Sequence, residues 1–142
     1  MNLQSCDMTD VSLPTGAAAA KTVLVDDCNI KFENSATFIG YDKYKPSITV
    51  SNSVLDLSKV EGEFQLVNAW SVEDTEVNYL FSNNEVIKPE SLTGYILYAS
   101  WVREATAENK LTITFDGTNL DELTDCNKAT GNFVIVRDTT SN

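Results

Sequence analysis

From Lys21 onward the chain is cut into short β-branched and aromatic runs, each bounded by Asn, Asp, Gly or Pro. That texture belongs to successive strands. The candidates span residues 22–25, 29–32, 36–39, 47–50, 53–57, 60–70, 75–81, 85–87, 110–115 and 133–136. Several alternate with a period of two, which places one face against a core and one in water. Ile30 and Phe32 share a face; Val60, Phe64, Leu66 and Trp70 oppose Glu61, Glu63 and Gln65, with Gly62 marking a bulge. Val77, Tyr79 and Phe81 form a third set, and Leu111, Ile113 and Phe115 turn inward from Thr112 and Thr114. Residues 133–136 are a contiguous apolar run suited to a buried strand. Asn83-Asn84 and Asp116-Gly117 read as turns, and residues 118–123 as a helical turn capped by Thr118.

Residues 94–110 fit two periods. Tyr95, Leu97, Ala99 and Trp101 alternate as in a strand, whereas Leu92, Ile96, Ala99 and Val102 recur at helical spacing. The segment is read as a strand through Arg103 followed by a loop or short helix. About ten short strands with no long helix between them predict an all-β domain, an antiparallel β-sandwich or a jelly-roll-like domain, rather than a parallel α/β sheet. No internal repeat is found.

Residues 1–20 differ from the rest of the chain. They mix Ser, Thr, Asp and Pro and end in Gly16-Ala17-Ala18-Ala19-Ala20, without apolar periodicity. The expected organisation is an extended N-terminal arm over 1–20, a β-sandwich domain over 21–138 and a polar tail over 139–142. An arm with so little apolar surface needs a second molecule to rest on.

Charge and composition narrow the chemistry. In 142 residues there are 10 Lys and Arg against 21 Asp and Glu, a net charge of −11, and no histidine. Arginine is represented only by Arg103 and Arg137, so the clustered cations that phosphate contacts require are missing and nucleic acid is not an expected partner. Without histidine, the Ser-His-Asp and Cys-His nucleophiles and His-ligated zinc are unavailable. There is no glycine-rich phosphate loop, aspartyl-protease signature or nucleophile elbow, so the chain is not read as an enzyme. Residues 1–20 carry no Lys or Arg, unlike an export signal, and no run approaches the ~18 apolar residues of a spanning helix. Cys6, Cys28 and Cys126 are an odd number without C-x-x-C spacing; reduced thiols are expected, with a Cys6–Cys28 bridge as the alternative in an oxidising medium.

Two groups stand out as candidate sites. Asp116, Asn119, Asp121 and Asp125, with Glu122 among them, offer oxygen ligands of the kind calcium takes, although the order is not that of an EF-hand. A solvated acidic loop is the competing and favoured reading. Asp26-Asp27 at a strand end carries the same ambiguity at longer odds. No cofactor is expected apart from calcium at that first acidic group. Tyr41 and Tyr44 lie in a connection before Pro46, where recognition residues concentrate; the alternative is that they fold back over the core. Trp101, with Trp70, offers a stacking platform for sugars, against the reading that a tryptophan at an apolar parity belongs to the core.

The arm, the small β-rich body and the lack of a catalytic set predict a non-enzymatic structural subunit of a larger assembly. The expected type is an accessory or decoration protein of a virus or bacteriophage particle, located in the virion or another extracellular assembly, with other subunits, including copies of itself, as partners. The alternative is an extracellular carbohydrate-binding or adhesive β-sandwich module using Tyr41, Tyr44, Trp70 and Trp101. A third reading is a small glycosidase working through two carboxylates.

Overall fold

The computed structural model describes residues 2–13, 22–34, 37–40, 47–71, 76–90, 92–93, 97–101, 110–118 and 133–137. They form fifteen strands: β1 (Asn2–Gln4), β2 (Asp7–Thr9), β3 (Thr22–Asp26), β4 (Asn29–Lys31), β5 (Thr37–Ile39), β6 (Ser47–Ser51), β7 (Val54–Asp56), β8 (Gly62–Glu63), β9 (Gln65–Ser71), β10 (Glu76–Ser82), β11 (Glu85–Ile87), β12 (Leu92–Thr93), β13 (Leu97–Trp101), β14 (Lys110–Asp116) and β15 (Phe133–Arg137). Every pair among these strands is parallel. A first wall runs β1-β3-β6-β10-β14-β15, a second runs β11-β7-β4-β2, a third runs β13-β9-β5, and β12-β8 form a short extra pair.

Apart from β14 and β15, which pair with each other in the first wall, strands that follow one another in sequence belong to different sheets, and each pairs with its counterpart from the next turn of the chain. This is a coil-on-coil β-solenoid. Partners at the corner between the first and second walls are separated by 22, 25, 31 and 34 positions on passing from coil to coil. The steps are long enough for parallel return and too long for hairpins.

The expected antiparallel β-sandwich or jelly-roll-like domain with an extended N-terminal arm is thus corrected on two counts. First, many strands fall within a residue or two of the expected spans, but their partners are parallel. Parallel sheets are usually covered on both faces and so lack alternation. Here the first and second walls face a core on one side only, so they alternate as antiparallel strands do. Second, residues of the expected arm are the first coil of the solenoid: Asn2, Leu3 and Gln4 pair with Leu24, Val25 and Asp26, and Asp7, Met8 and Thr9 pair with Asn29, Ile30 and Lys31. Leu13 bridges to Ile39 and is buried.

The core is built from columns of like residues stacked along the axis. Leu3, Val25, Val50, Phe81 and Phe115 are successive register partners in the first wall, and all but Leu3 are buried. The Phe81 and Phe115 rings stack with centroids 5.1 Å apart. Met8, Ile30, Leu55 and Val86 form the equivalent column of the second wall. Phe32, just past β4, packs toward the third wall, meeting Phe38 edge-on at 5.2 Å and Phe64 at 5.0 Å. In the third wall the alternation fails, since Phe38 and Ile39 are both buried, as are Leu66 and Val67. The bulge expected at Gly62 corresponds to a glycine in the left-handed region, with φ of 82°, in the short strand β8.

Candidate functional site

The most ordered chemistry lies at the corner between the first and second walls. Among the described residues five coils turn there in three residues, and the middle one adopts the left-handed conformation: Ser5 (φ 51°), Asp27 (54°), Asn52 (50°), Asn83 (54°) and Gly117 (62°). Asn, Asp and Gly are the residue types that tolerate this region. The amide of each turn residue from Ser5 to Asn83 donates to the coil above it: Ser5 to the Asp26 carbonyl, Asp27 to Ser51, Asn52 to Ser82 and Asn83 to Asp116, at 2.8–3.1 Å. The parallel ladder thus continues around the bend without a gap.

The residue after each turn points inward, giving a column of Cys6, Cys28, Ser53, Asn84 and Thr118. Polar groups placed in an interior must be hydrogen-bonded, and these satisfy one another along the axis. The Cys28 amide donates to Ser53 Oγ at 3.1 Å and the Ser53 amide to Asn84 Oδ1 at 3.0 Å. Asn84 Nδ2 donates to the Val50 carbonyl at 2.8 Å and to Thr118 Oγ1 at 3.3 Å, and Thr118 Oγ1 donates to the Phe81 carbonyl at 3.1 Å. The two thiols continue the column toward the first coil, with Cys6 donating to the Gln4 carbonyl and Cys28 to that of Asp26. Burial pushes the Cys28 thiol above its ordinary range.

On the outer side of the same corner, Asp26 accepts hydrogen bonds from Asn52 Nδ2 and Ser51 Oγ, both at 2.9 Å. These donors, Asn52 first, hold its carboxyl below the ordinary 3.8. Asp56, in the second wall, is lowered in the same way by Ser58, whose hydroxyl and amide donate to Oδ1 at 2.6 and 2.9 Å. At the far end of the second wall, the carboxylate of Asp10 takes the Glu33 and Asn34 amides at 2.8 and 3.0 Å.

Of the residues singled out from the sequence, Asp26, Asp27 and Asp116 belong to this corner. Asp116 ends β14, is exposed, and stands beside Ser82; Asn119, Asp121, Glu122 and Asp125 lie outside the described residues, as do Tyr41, Tyr44 and Cys126. Trp101 is the last residue of β13, next to Ser71, and Trp70 pairs with Ser100. Among the described residues no three Cys, Asp or Glu side chains converge as a metal would need, and no helix is long and apolar enough to cross a membrane. The described residues line open grooves. One, of about 370 Å³, is lined by Ser58, Lys59, Val60, Glu61 and Glu90, and another, of about 190 Å³, by Asp7, Met8, Thr9, Asn29 and Lys31 on the first two coils.

The second feature that could act on another molecule is the first coil itself. β1 and β2 are the terminal strands of the first and second walls, so each leaves one edge unpaired by any described strand. The inward residues of this coil, Leu3, Cys6, Met8 and Val11, are only partly buried against the core. One coil further in, Val25 and Ile30 are 0% exposed and Cys28 3%. Sequence reasoning missed this site because its apolar residues are spaced by walls and not by helix or strand period. No protein-family model matches this chain, and neither curated proteins nor solved structures give a match.

Proposed function

We propose that the chain is a non-enzymatic structural subunit of a larger assembly, joined to its neighbour end to end through the first coil. The kind of assembly proposed is a particle such as that of a virus or bacteriophage, in which the chain serves as an accessory component. An open end of the solenoid takes the place of the expected arm as the joining element. The observation that carries this reading is the inward row of Leu3, Cys6, Met8 and Val11, only partly buried, with Val25, Cys28 and Ile30 buried one coil further in. A further coil laid on this end would complete that burial, contributing on the order of 1 kcal/mol for each large side chain. It would also pair, by strand addition, the edges of β1 and β2 that no described strand covers.

A second copy supplies such a coil with the right polarity. β15 forms the opposite edge of the first wall among the described residues, and a head-to-tail contact between that edge and β1 keeps the strands parallel. Contacts of this kind are heterologous and propagate into open stacks. The charge of −11 opposes approach of like copies, and salt screens that repulsion.

Light scattering across protein and salt concentration tests the reading. The expected result is association that grows with both, and that Leu3→Lys and Met8→Lys abolish while circular dichroism stays unchanged. A chain that remains monomeric throughout, and joins no candidate particle, overturns it.

A further inference from the structure

The inward column of the corner ends in two thiols placed one above the other. The residues two before Cys6 and Cys28, Gln4 and Asp26, are register partners in the first wall. The residues just after them, Asp7 and Asn29, are register partners in the second. Between these fixed points the Asn29 amide donates to the Cys6 carbonyl at 2.8 Å. Neighbouring strands of a sheet lie about 4.8 Å apart, within the roughly 4.4 to 6.8 Å that a disulfide accepts between its α-carbons. The Cys28 sulfur lies 3.5 Å from the Leu3 carbonyl, so it leans toward the first coil. Both thiols are free.

Their access to solvent differs in a way that orders a reaction. Cys28 is 3% exposed, and Cys6 is only partly buried at the open end. A reagent meets Cys6 first, and Cys28 stands behind it as the resolving thiol.

We propose that Cys6 and Cys28 are a redox-controlled staple between the first two coils, closed by thiol–disulfide exchange with a small-molecule disulfide such as oxidised glutathione. The Cys6 thiolate attacks one sulfur of that molecule, breaking its S–S bond, forming a mixed disulfide and releasing one small thiol. The Cys28 thiolate then attacks the Cys6 sulfur and expels the second. Two protein thiols are oxidised to one disulfide, the small disulfide is reduced to two thiols, and the protons leave on the released thiols through solvent. The bridge ties the coil that has a described neighbour on one side only, and it does so whether or not a partner later sits on that end.

Equilibration of the full chain in glutathione buffers of increasing oxidation, quenched with iodoacetamide and mapped by mass spectrometry after proteolysis, tests the staple. The expected outcome is a linked Cys6–Cys28 peptide that accumulates with oxidation, with dithiothreitol restoring three alkylated cysteines. Amide exchange in β1 and β2 slows by about tenfold in the bridged form, because a cross-link restricts opening of the end coil. Cys126→Ser keeps the bridge, and Cys6→Ser removes it and leaves Cys28 free of glutathione; the first variant retains only the two thiols in question and does not depend on the folding of the second. Glutathione that remains on Cys6 without resolving, a link through Cys126, or exchange in β1 and β2 unchanged by the bridge would each overturn the proposal.

Discussion

Asn84 is 4% exposed and uses its amide in both directions, donating to the Val50 carbonyl and Thr118 Oγ1 and accepting from the Ser53 amide. It joins three coils. Asn84→Ala removes these bonds inside a space that water does not reach, so a loss of about 2 to 4 kcal/mol is expected from the stranded partners. Urea denaturation should show a lower midpoint at unchanged m-value. Asn84→Ser, which keeps one hydroxyl in the column as Ser53 does, should lose less; equal losses for the two would refute the bonding role. Nothing in the sequence separates this asparagine from its neighbour. Asn83-Asn84 reads as a solvated turn, because asparagine is usually exposed, and only the coil stacked above and below turns the second of the pair inward.

The corner is the recurring element, and it shows why strands are legible in the sequence while their pairing is not. The triplets Gln4-Ser5-Cys6, Asp26-Asp27-Cys28, Ser51-Asn52-Ser53, Ser82-Asn83-Asn84 and Asp116-Gly117-Thr118 occupy equivalent places, yet they share polarity and small size rather than a residue type. Their spacing widens from 22 to 34 positions, so no fixed period betrays them. The alternation of Leu111, Ile113 and Phe115 locates β14 correctly, but one buried face is common to antiparallel sheets and to solenoid walls, and it does not choose between them. Of the acidic candidates, Asp26, Asp27 and Asp116 fall in this element. Within it, Gly117 has a φ of 62° and an added Cβ would stand 2.7 Å from Asn83 Oδ1. Gly117→Ala should therefore cost about 2 kcal/mol, from the left-handed conformation and the contact together. Combining it with Asn83→Gly should recover part of that loss in a double-mutant cycle; strict additivity would show that the two residues do not touch in solution.

Among the described residues, coils contact only their neighbours, so stability is close to a sum of coil terms and interface terms. Acid acts on this sum in two opposite ways. Protonating carboxylates reduces the net charge of −11 and relieves self-repulsion. Asp26 and Asp56, however, are held below the ordinary 3.8 by their serine and asparagine donors. Their folded values lie under the unfolded ones, so their contribution is complete above about that pH and is lost as pH falls through the folded values. Stability should hold or rise from neutrality toward pH 3.8 and then decline, and Asp26→Asn with Asp56→Asn should flatten the decline when denaturation midpoints are followed against pH. A decline as steep in the double variant would assign acid unfolding to other groups.

The coils differ in length, but not everywhere. The step from the first wall to the second is always the same short corner, as from Asp26 to Asn29, Ser51 to Val54 and Ser82 to Glu85. All added residues are taken up on the return path through the third wall, where Tyr41 and Tyr44 fall between β5 and β6 in the sequence. Lengthening a surface connection adds little closure entropy. That part of each coil is accordingly a grafting seam: foreign loops can be spliced into it storey by storey, while the polar spine at the corner keeps the pitch of the stack.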